Sequence, residues 1–441
     1  MMTTATGSTT ANATPPQPTA AQRWWVLLLV SLAMFGNYYA YDALNPVVDL
    51  LRSQRGLDYG QVGMLSTAYN IAALLVLLAG GYAIDRWGTR RAIPLFAAIC
   101  VAAAALTAFA PNFESLVAGR FLLGVGAEPL IVAATTVLAK WFSGRELGFA
   151  FGLNLSVSRL GSASTDWSTS FAAPLYSNWQ DPLWLATGVA SVGLVAALLY
   201  ARMERRADGR LNADDATQAD KLQLRNLYAF GRAYWYIVAL CVVFYAAVFP
   251  FRTFAIDYFQ QAHGLDRDAA GLLSSLLPMA AIVATPLFGL WADKVGRRAL
   301  FMVAGTLGML PLFLAATYLP PGPLVALPFT DVSVPATLLA VMLVLGVVFS
   351  LIPAVMWPAV AYLVDERRLG SAYSLMTFCQ QIGWALVPLA IGALNDRFQA
   401  GPENTAGYAP GMWFYTALAA VGLFFAWRLW RVEAGSPAAR S

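Results

Sequence analysis

Apolar and polar positions alternate along this chain as long runs and short breaks. Between residues 24 and 431, predominantly apolar stretches recur with only a few polar residues between them. About 20 residues wound at 1.5 Å each cross a hydrocarbon layer of roughly 30 Å, which is the length these stretches have. Twelve are predicted, approximately at 24–46, 60–84, 92–110, 116–139, 146–173, 182–201, 233–258, 270–291, 299–319, 335–363, 371–394 and 411–430. Several contain proline, including Pro129, Pro250, Pro278, Pro353 and Pro358. In water that would argue against helices, but in lipid neighbouring helices satisfy the freed backbone groups and an open strand edge is not tolerated. The pattern therefore predicts an all-α membrane protein.

One break is longer than the rest. Residues 202–232 are charged, carry seven basic side chains and separate six predicted spans from six more. Twelve transmembrane helices in two pseudo-symmetric six-helix bundles are expected, over 23–202 and 233–431. A linker at 203–232 joins them, with tails at 1–22 and 432–441. Residues 1–22 carry no charge, so a disordered tail is expected there, with the first span acting as its own uncleaved insertion signal. Of the 28 basic residues, 21 fall on the side shared by both termini, four on the other (Arg52, Arg55, Arg267, Arg397) and three within spans. Lys and Arg are retained on the cytoplasmic side, so both termini and the linker are expected there.

Composition narrows the function classes. With 59% hydrophobic and 12% charged residues among 441, the chain has no water-facing surface to spare, and its partner is the lipid bilayer. A net charge of +4, dispersed along the chain, gives no footprint for nucleic acid. Cys100, Cys241 and Cys379 each fall inside an apolar run without metal-ligand spacing, so neither a disulfide framework nor a metal site is indicated. The single histidine, His263, is expected solvated in an external loop. No nucleophile–base pair, phosphate loop or cofactor motif stands among the buried polar residues, so an enzyme is not expected.

A repeat carries more information. Residues 80–91 read GGYAIDRWGTRR and residues 288–298 read FGLWADKVGRR, with Asp85 and Asp293 208 positions apart. Both copies fall between the second and third span of their half. Each acid lies at a helix end beside a cation, able to pair with a neighbouring helix, while Gly81 and Gly289 permit close helix approach. The doubled motif resembles the loop signature of the major facilitator superfamily. That resemblance implies alternating access, with Gly81, Asp85, Arg86, Arg90, Gly289, Asp293 and Arg297 as gate elements.

Charges inside spans mark pathways or partners, because each costs several kcal/mol in lipid. Glu128 lies 15 residues before Ser143, at the turn between the fourth and fifth spans, and Arg159 lies 16 after it. Both should therefore sit roughly 20 Å from that turn, at matched depth. One anion and one cation so placed could hold the two ends of a zwitterion, or form an ion pair that satisfies itself. Arg120, eight residues before Glu128, reads as a structural or gating residue or as a substrate contact. Asp42 shares a helix face with Tyr38 and Asn45, close to Asn37, and reads as a vestibule or gate residue or a ligand contact. Asp166 shares a face with Arg159, and Arg252 lies with Asp257 near the outer end of the seventh span. Gln380 and Gln381 in the eleventh span and Trp357 in the tenth add uncharged polar and aromatic groups.

A narrower resemblance follows from six segments spread through both halves. They are FGNYYAYD, GRFLLGVGAEPL, KWFSGRELGFAFGLNLSVSRLGS, FPF, FGLWADKVGRR and MWPAVAYLVDERRLGSAYSLM. These resemble the lysosomal dipeptide-transporter branch of the superfamily. The resemblance implies that Glu128 and Arg159 contact the charged ends of a dipeptide, and Tyr38, Asn37, Gln380, Gln381 and Trp357 are taken with them as substrate-binding residues. It also brings up the accessory glycoprotein of the animal members, for which no surface is legible here. Arg252 departs from the apolar residue expected at its position. No acidic dileucine signal stands in residues 1–22, and the Ala- and Arg-rich, short-looped chain is expected in a bacterial inner membrane. Two rivals remain: a carrier of an organic anion held by Arg159 and Arg120 with Glu128 as a proton site, and a transporter-like sensor.

Overall fold

The computed structural model describes residues 19–142, 146–207, 230–327, 330, 332–364 and 368–434, with a few side chains, Asp85 among them, outside the description. Most of the expected tails and linker lies outside the described residues. Among those described, the chain forms thirteen α-helices. The first half contains α1 (Ala20–Asp42), a short α2 (Val48–Arg55), α3 (Tyr59–Trp87), α4 (Thr89–Phe109), α5 (Phe113–Trp141), α6 (Leu147–Phe171) and α7 (Gln180–Ala207). The second contains α8 (Arg232–His263), α9 (Arg267–Val295), α10 (Arg298–Tyr318), α11 (Ala336–Leu363), α12 (Leu369–Arg397) and α13 (Ala409–Ala434). Twelve are long, and ten candidate spans are apolar enough to cross a membrane by length and composition. The polar face of α6, with Asn154, Ser158, Ser162, Thr165 and Asp166, is buried among other helices.

Several boundaries differ from the hydropathy pattern for local reasons. The first span stops at Asp42 rather than running to 46, and the chain continues as a 3-10 turn at Asn45–Val47 and then α2. Pro46 has no N–H to continue the ladder, and α2 ends on Gly56 at φ 68°, the left-handed cap that only glycine adopts without cost. Helices α3, α7 and α13 run past the predicted spans into polar sequence. A hairpin pairs β1 (Leu324–Ala326) with β2 (Ser333–Pro335), too short to register in the hydropathy pattern.

Within the first half α1 packs on α6 and α7, α4 on α5 and α7, and α3 on α5. In the second half α9 packs on α11, α10 on α11 and α13, and α8 on α12 and α13. The halves meet mainly along α3 with α12 and α6 with α9. Each of these seams joins the second long helix of one half to the fifth of the other, as a two-fold relation requires.

Among the described residues, the glycines that pack tightly across the seams lie toward one end. The terminal side carries the start of α1 and the end of α13; the distal side is the opposite one. A Cβ at Gly63 or Gly392 would overlap backbone across the α3–α12 seam, and one at Gly271 would overlap Thr169 and the Asp166 carbonyl across the α6–α9 seam. All three lie in the distal half of the bundle. Gly81 and Gly289, expected to allow close approach on the terminal side, have open space where a Cβ would stand. The approach expected there is not made in this state.

Candidate functional site

The distal closure is built from charge. Arg252 of α8, 2% exposed, donates to Asp42 of α1 and to Asp166 of α6, both at 3.0 Å. Asp166 also accepts from Ser274 of α9 at 3.0 Å. One guanidinium thus bridges the halves through two carboxylates. Arg252 and Asp257 share the distal end of α8, but residues five apart on a helix point about 140° away from each other. Asp257 instead accepts from the Tyr59 hydroxyl at 2.7 Å, and Tyr59 in turn bonds Arg52 and Tyr408. Asp396 of α12 accepts from the Tyr59 and Gly60 amides at 2.8 and 2.6 Å, capping the start of α3 from the opposite half. Arg267 pairs with Asp49 and donates to the Pro46 carbonyl at 2.8 Å. Among the described residues, every hydrogen bond given between the halves lies in the distal half or at mid-depth.

Below this closure, at the middle of their helices, stand Glu128 on α5 and Arg159 on α6. They form no ion pair with each other, and among the described residues Arg159 has no carboxylate within 4.0 Å. The Glu128 carboxylate accepts from the Tyr69 hydroxyl of α3 at 3.0 Å, and the Gln381 side chain of α12 lies beside it from the other half. The Arg159 guanidinium faces rings of the other half, 5.7 Å from the centroid of Phe249 and 5.9 Å from that of Phe349. Tyr38 is half-buried and within electrostatic range of Arg159, Glu128 and Asp42. Such a site presents an anion and a cation, each at the middle of its helix, with Glu128 contacted from both halves and Arg159 facing rings of the opposite half.

Other residues taken with the site lie elsewhere. The Asn37 carboxamide accepts from the Cys100 thiol at 3.6 Å, inside the first half, and is 3% exposed. Gln380 accepts from Cys241 at 3.6 Å, inside the second. Each is a helix neighbour of a residue that does face the centre, Tyr38 or Gln381, and successive helical positions turn by about 100°. Trp357 donates from Nε1 to the Tyr245 hydroxyl at 3.0 Å, backing the central aromatic group rather than meeting Glu128. Arg120 is buried and donates to the Ala40 and Tyr41 carbonyls at 3.4 and 3.1 Å, which leaves it a packing role rather than a place beside Arg159. Tyr69, Phe249, Tyr245, Phe349 and Trp384 also surround the centre, and their roles do not follow from hydropathy. The i, i+4 spacing of Tyr245 and Phe249 and the polar STAYN patch around Tyr69 were the available signals.

The repeated loops are mostly exposed. Asp293 pairs with Arg298 at 2.8 Å, and Arg298 stacks 4.0 Å from the Tyr362 ring centroid, so the second arginine of that motif, not Arg297, makes the contact. Arg86 donates to Tyr82 at 3.1 Å, Arg90 is half-buried, and the Asp85 side chain lies outside the described residues. His263, expected in a solvated loop, ends α8 and packs half-buried on Tyr258, with Nε2 3.2 Å from its hydroxyl.

A family model described as Major Facilitator Superfamily matches residues 30–255 and 243–441. The chain is 29% identical to the lysosomal dipeptide transporter MFSD1 of Bos taurus over 85% of its own length and 80% of the relative's. It is also 26% identical to a protein of Cupriavidus necator described as a probable sulfoacetate transporter, over 63% of this chain and 66% of that one. Among solved structures, it resembles a bacterial homologue of the human lysosomal transporter Spinster, in an inward-facing and occupied conformation. The TM-score there is 0.76 at 16% identity, over 95% of this chain and 100% of that one.

Proposed function

Starting from the fact that the chain belongs to the Major Facilitator Superfamily and is a membrane transporter, not an enzyme, we propose that its solute is a dipeptide. The observation that carries this reading is the pair Glu128 and Arg159, opposite charges at mid-membrane depth that do not neutralise each other. A cation without a counter-ion inside a membrane protein is costly to close away from water, and so is a carboxylate held only by neutral donors. A ligand with an ammonium at one end and a carboxylate at the other relieves both at once. Glu128 takes the ammonium and Arg159 the carboxylate, while Tyr38, Tyr69 and Gln381 position the ligand between them. The similarity to a dipeptide transporter over most of the chain supports the same assignment.

The two halves rock about this site in alternating access. The Arg252, Tyr59 and Arg267 contacts close the distal side, and the loops around Asp85 and Asp293 close the terminal side in turn. Both termini lie in the cytoplasm of a bacterial cell and the protein sits in its inner membrane, so the present state opens inward. Binding moves the neutralised ligand and its two charged partners together, which lowers the cost of closing the terminal side.

Dipeptides, tripeptides, single amino acids and organic acids, screened for thermal stabilisation of the detergent-solubilised protein and then for uptake into proteoliposomes, test this. Dipeptides should stabilise and be taken up. Similarity to a sulfoacetate carrier favours one second reading, an organic anion held by Arg159 alone; stabilisation by short carboxylates lacking an amine, equal to that by dipeptides, would establish it.

A further inference from the structure

The two ends of the central site are chemically unlike. Around Glu128 the neighbours are hydrogen-bonding groups, the Tyr69 hydroxyl and the Gln381 amide. Around Arg159 they are aromatic rings from the opposite half. Phe249 and Trp384 lie 4.6 Å apart between centroids, and both are half-buried. Tyr245 stands 5.7 Å from Phe249 and 5.8 Å from Trp384, and Phe349, the other ring the guanidinium faces, stands 6.3 Å from Phe249; Tyr245 and Phe349 are both buried. The bond from Trp357 to Tyr245 and the stack of Phe244 on Phe349 at 5.3 Å hold these two rings in place.

Resting on the dipeptide reading above, we infer that Phe249 and Trp384 form a subsite for the side chain of the carboxyl-terminal residue, and that the transporter selects dipeptides whose last residue is apolar or aromatic. A carboxylate paired with Arg159 brings the Cα beside it to Phe249, which the guanidinium faces and against which Trp384 packs at 4.6 Å, so the attached side chain reaches the surfaces of both rings. An apolar or aromatic side chain gains that contact. An acidic one meets the negative ring faces after losing its water, and Arg120, committed to the Ala40 and Tyr41 carbonyls, offers it no second cation. A basic one is repelled by Arg159 itself.

Competition against a labelled dipeptide in proteoliposomes tests this. Glycyl-phenylalanine and glycyl-leucine should compete at concentrations at least about tenfold lower than glycyl-glutamate or glycyl-lysine. Phe249→Ala and Trp384→Ala should shrink that gap to about threefold or less, and Phe249→Leu should leave an intermediate gap. Discrimination between phenylalanyl-glycine and seryl-glycine, which differ at the first residue, should not move. Where an alanine variant does not fold, Phe249→Leu and the wild-type ranking still decide. Dipeptides that compete equally whatever their last residue, or a gap that survives in both alanine variants, would overturn the subsite while leaving the dipeptide assignment intact. A wild-type protein that binds no dipeptide at all overturns that assignment first, and the subsite with it.

Discussion

Arg252 and Asp166, 86 residues apart in sequence and in opposite halves, meet at 3.0 Å in a region from which water is excluded. The same guanidinium reaches Asp42, so one side chain of the second half is shared by two helices of the first. A cation held this way commits the distal side to closure, since parting the halves would strand three charges. Removing one partner of such a pair costs roughly 3–5 kcal/mol.

Replacing Arg252 with methionine should therefore bias the protein toward the distal-open state. Spin labels at Ser53→Cys and Gln399→Cys, both exposed on the distal side of opposite halves, should show a longer distance population in the variant, with Cys100, Cys241 and Cys379 replaced. An unchanged distribution would mean that the Tyr59 and Arg267 contacts suffice and that Arg252 only packs.

The α3–α12 seam offers an independent route to the same state. A methyl group added at Gly63 meets the Pro388 carbonyl and the Leu389 backbone, which cannot give as a side-chain tip would. Gly63→Ala should lengthen the same label distance and lower the melting temperature of the closed state, at a cost of about 1–3 kcal/mol. If the melting temperature and distances match the wild type, the seam is looser than the backbone contact implies.

How much of this was legible beforehand follows from the length scale of each signal. The twelve long helices and the two halves were readable because a span imposes some twenty apolar residues in a row, and the repeated loops because the motif recurs. Depth was also legible: Glu128 and Arg159 stand at the middles of their helices as counting from Ser143 places them. Direction around the helix was not. Sequence does not separate Asn37 and Gln380 from their neighbours Tyr38 and Gln381, which face the centre, because in an interior packed on all sides no hydropathy stripe marks which face meets the other half. Cross-half partners such as Arg252 with Asp166 were beyond reach for the same reason. They depend on which helices of the two bundles touch, and no local pattern encodes that.

Gly289 allows the gate role to be separated from a structural one. Nothing stands within 4 Å of a Cβ built there in this state, so Gly289→Leu should fold normally, with a melting temperature within about 2 °C of the wild type. Closing the terminal side brings α9 against its partner, and the added side chain then has to be accommodated. Uptake should fall about tenfold or more while dipeptide-induced stabilisation of the protein closed on its distal side persists. Loss of both together would point to a binding defect rather than a gate defect.

The central pair permits the most specific expectation, because each charge should be matched to one end of the ligand. Glu128→Gln removes the anion but keeps a group that Tyr69 can hydrogen-bond, so the fold should survive. Affinity for a free dipeptide should fall by about 1.5–3 kcal/mol, roughly 10- to 150-fold, as for the loss of a hydrogen bond to a charged group. A dipeptide acetylated at its amino end carries no ammonium to pair, and its weak binding should be unchanged or improved by the same substitution. Arg159→Gln should show the converse pattern, with free dipeptides weakened and carboxyl-amidated ones indifferent. The double-mutant cycle between protein and ligand thus assigns each end separately. If acetylation and amidation weaken binding equally in Glu128→Gln and in the wild type, the carboxylate does not meet the amine, and the orientation argued from the aromatic rings around Arg159 loses its anchor.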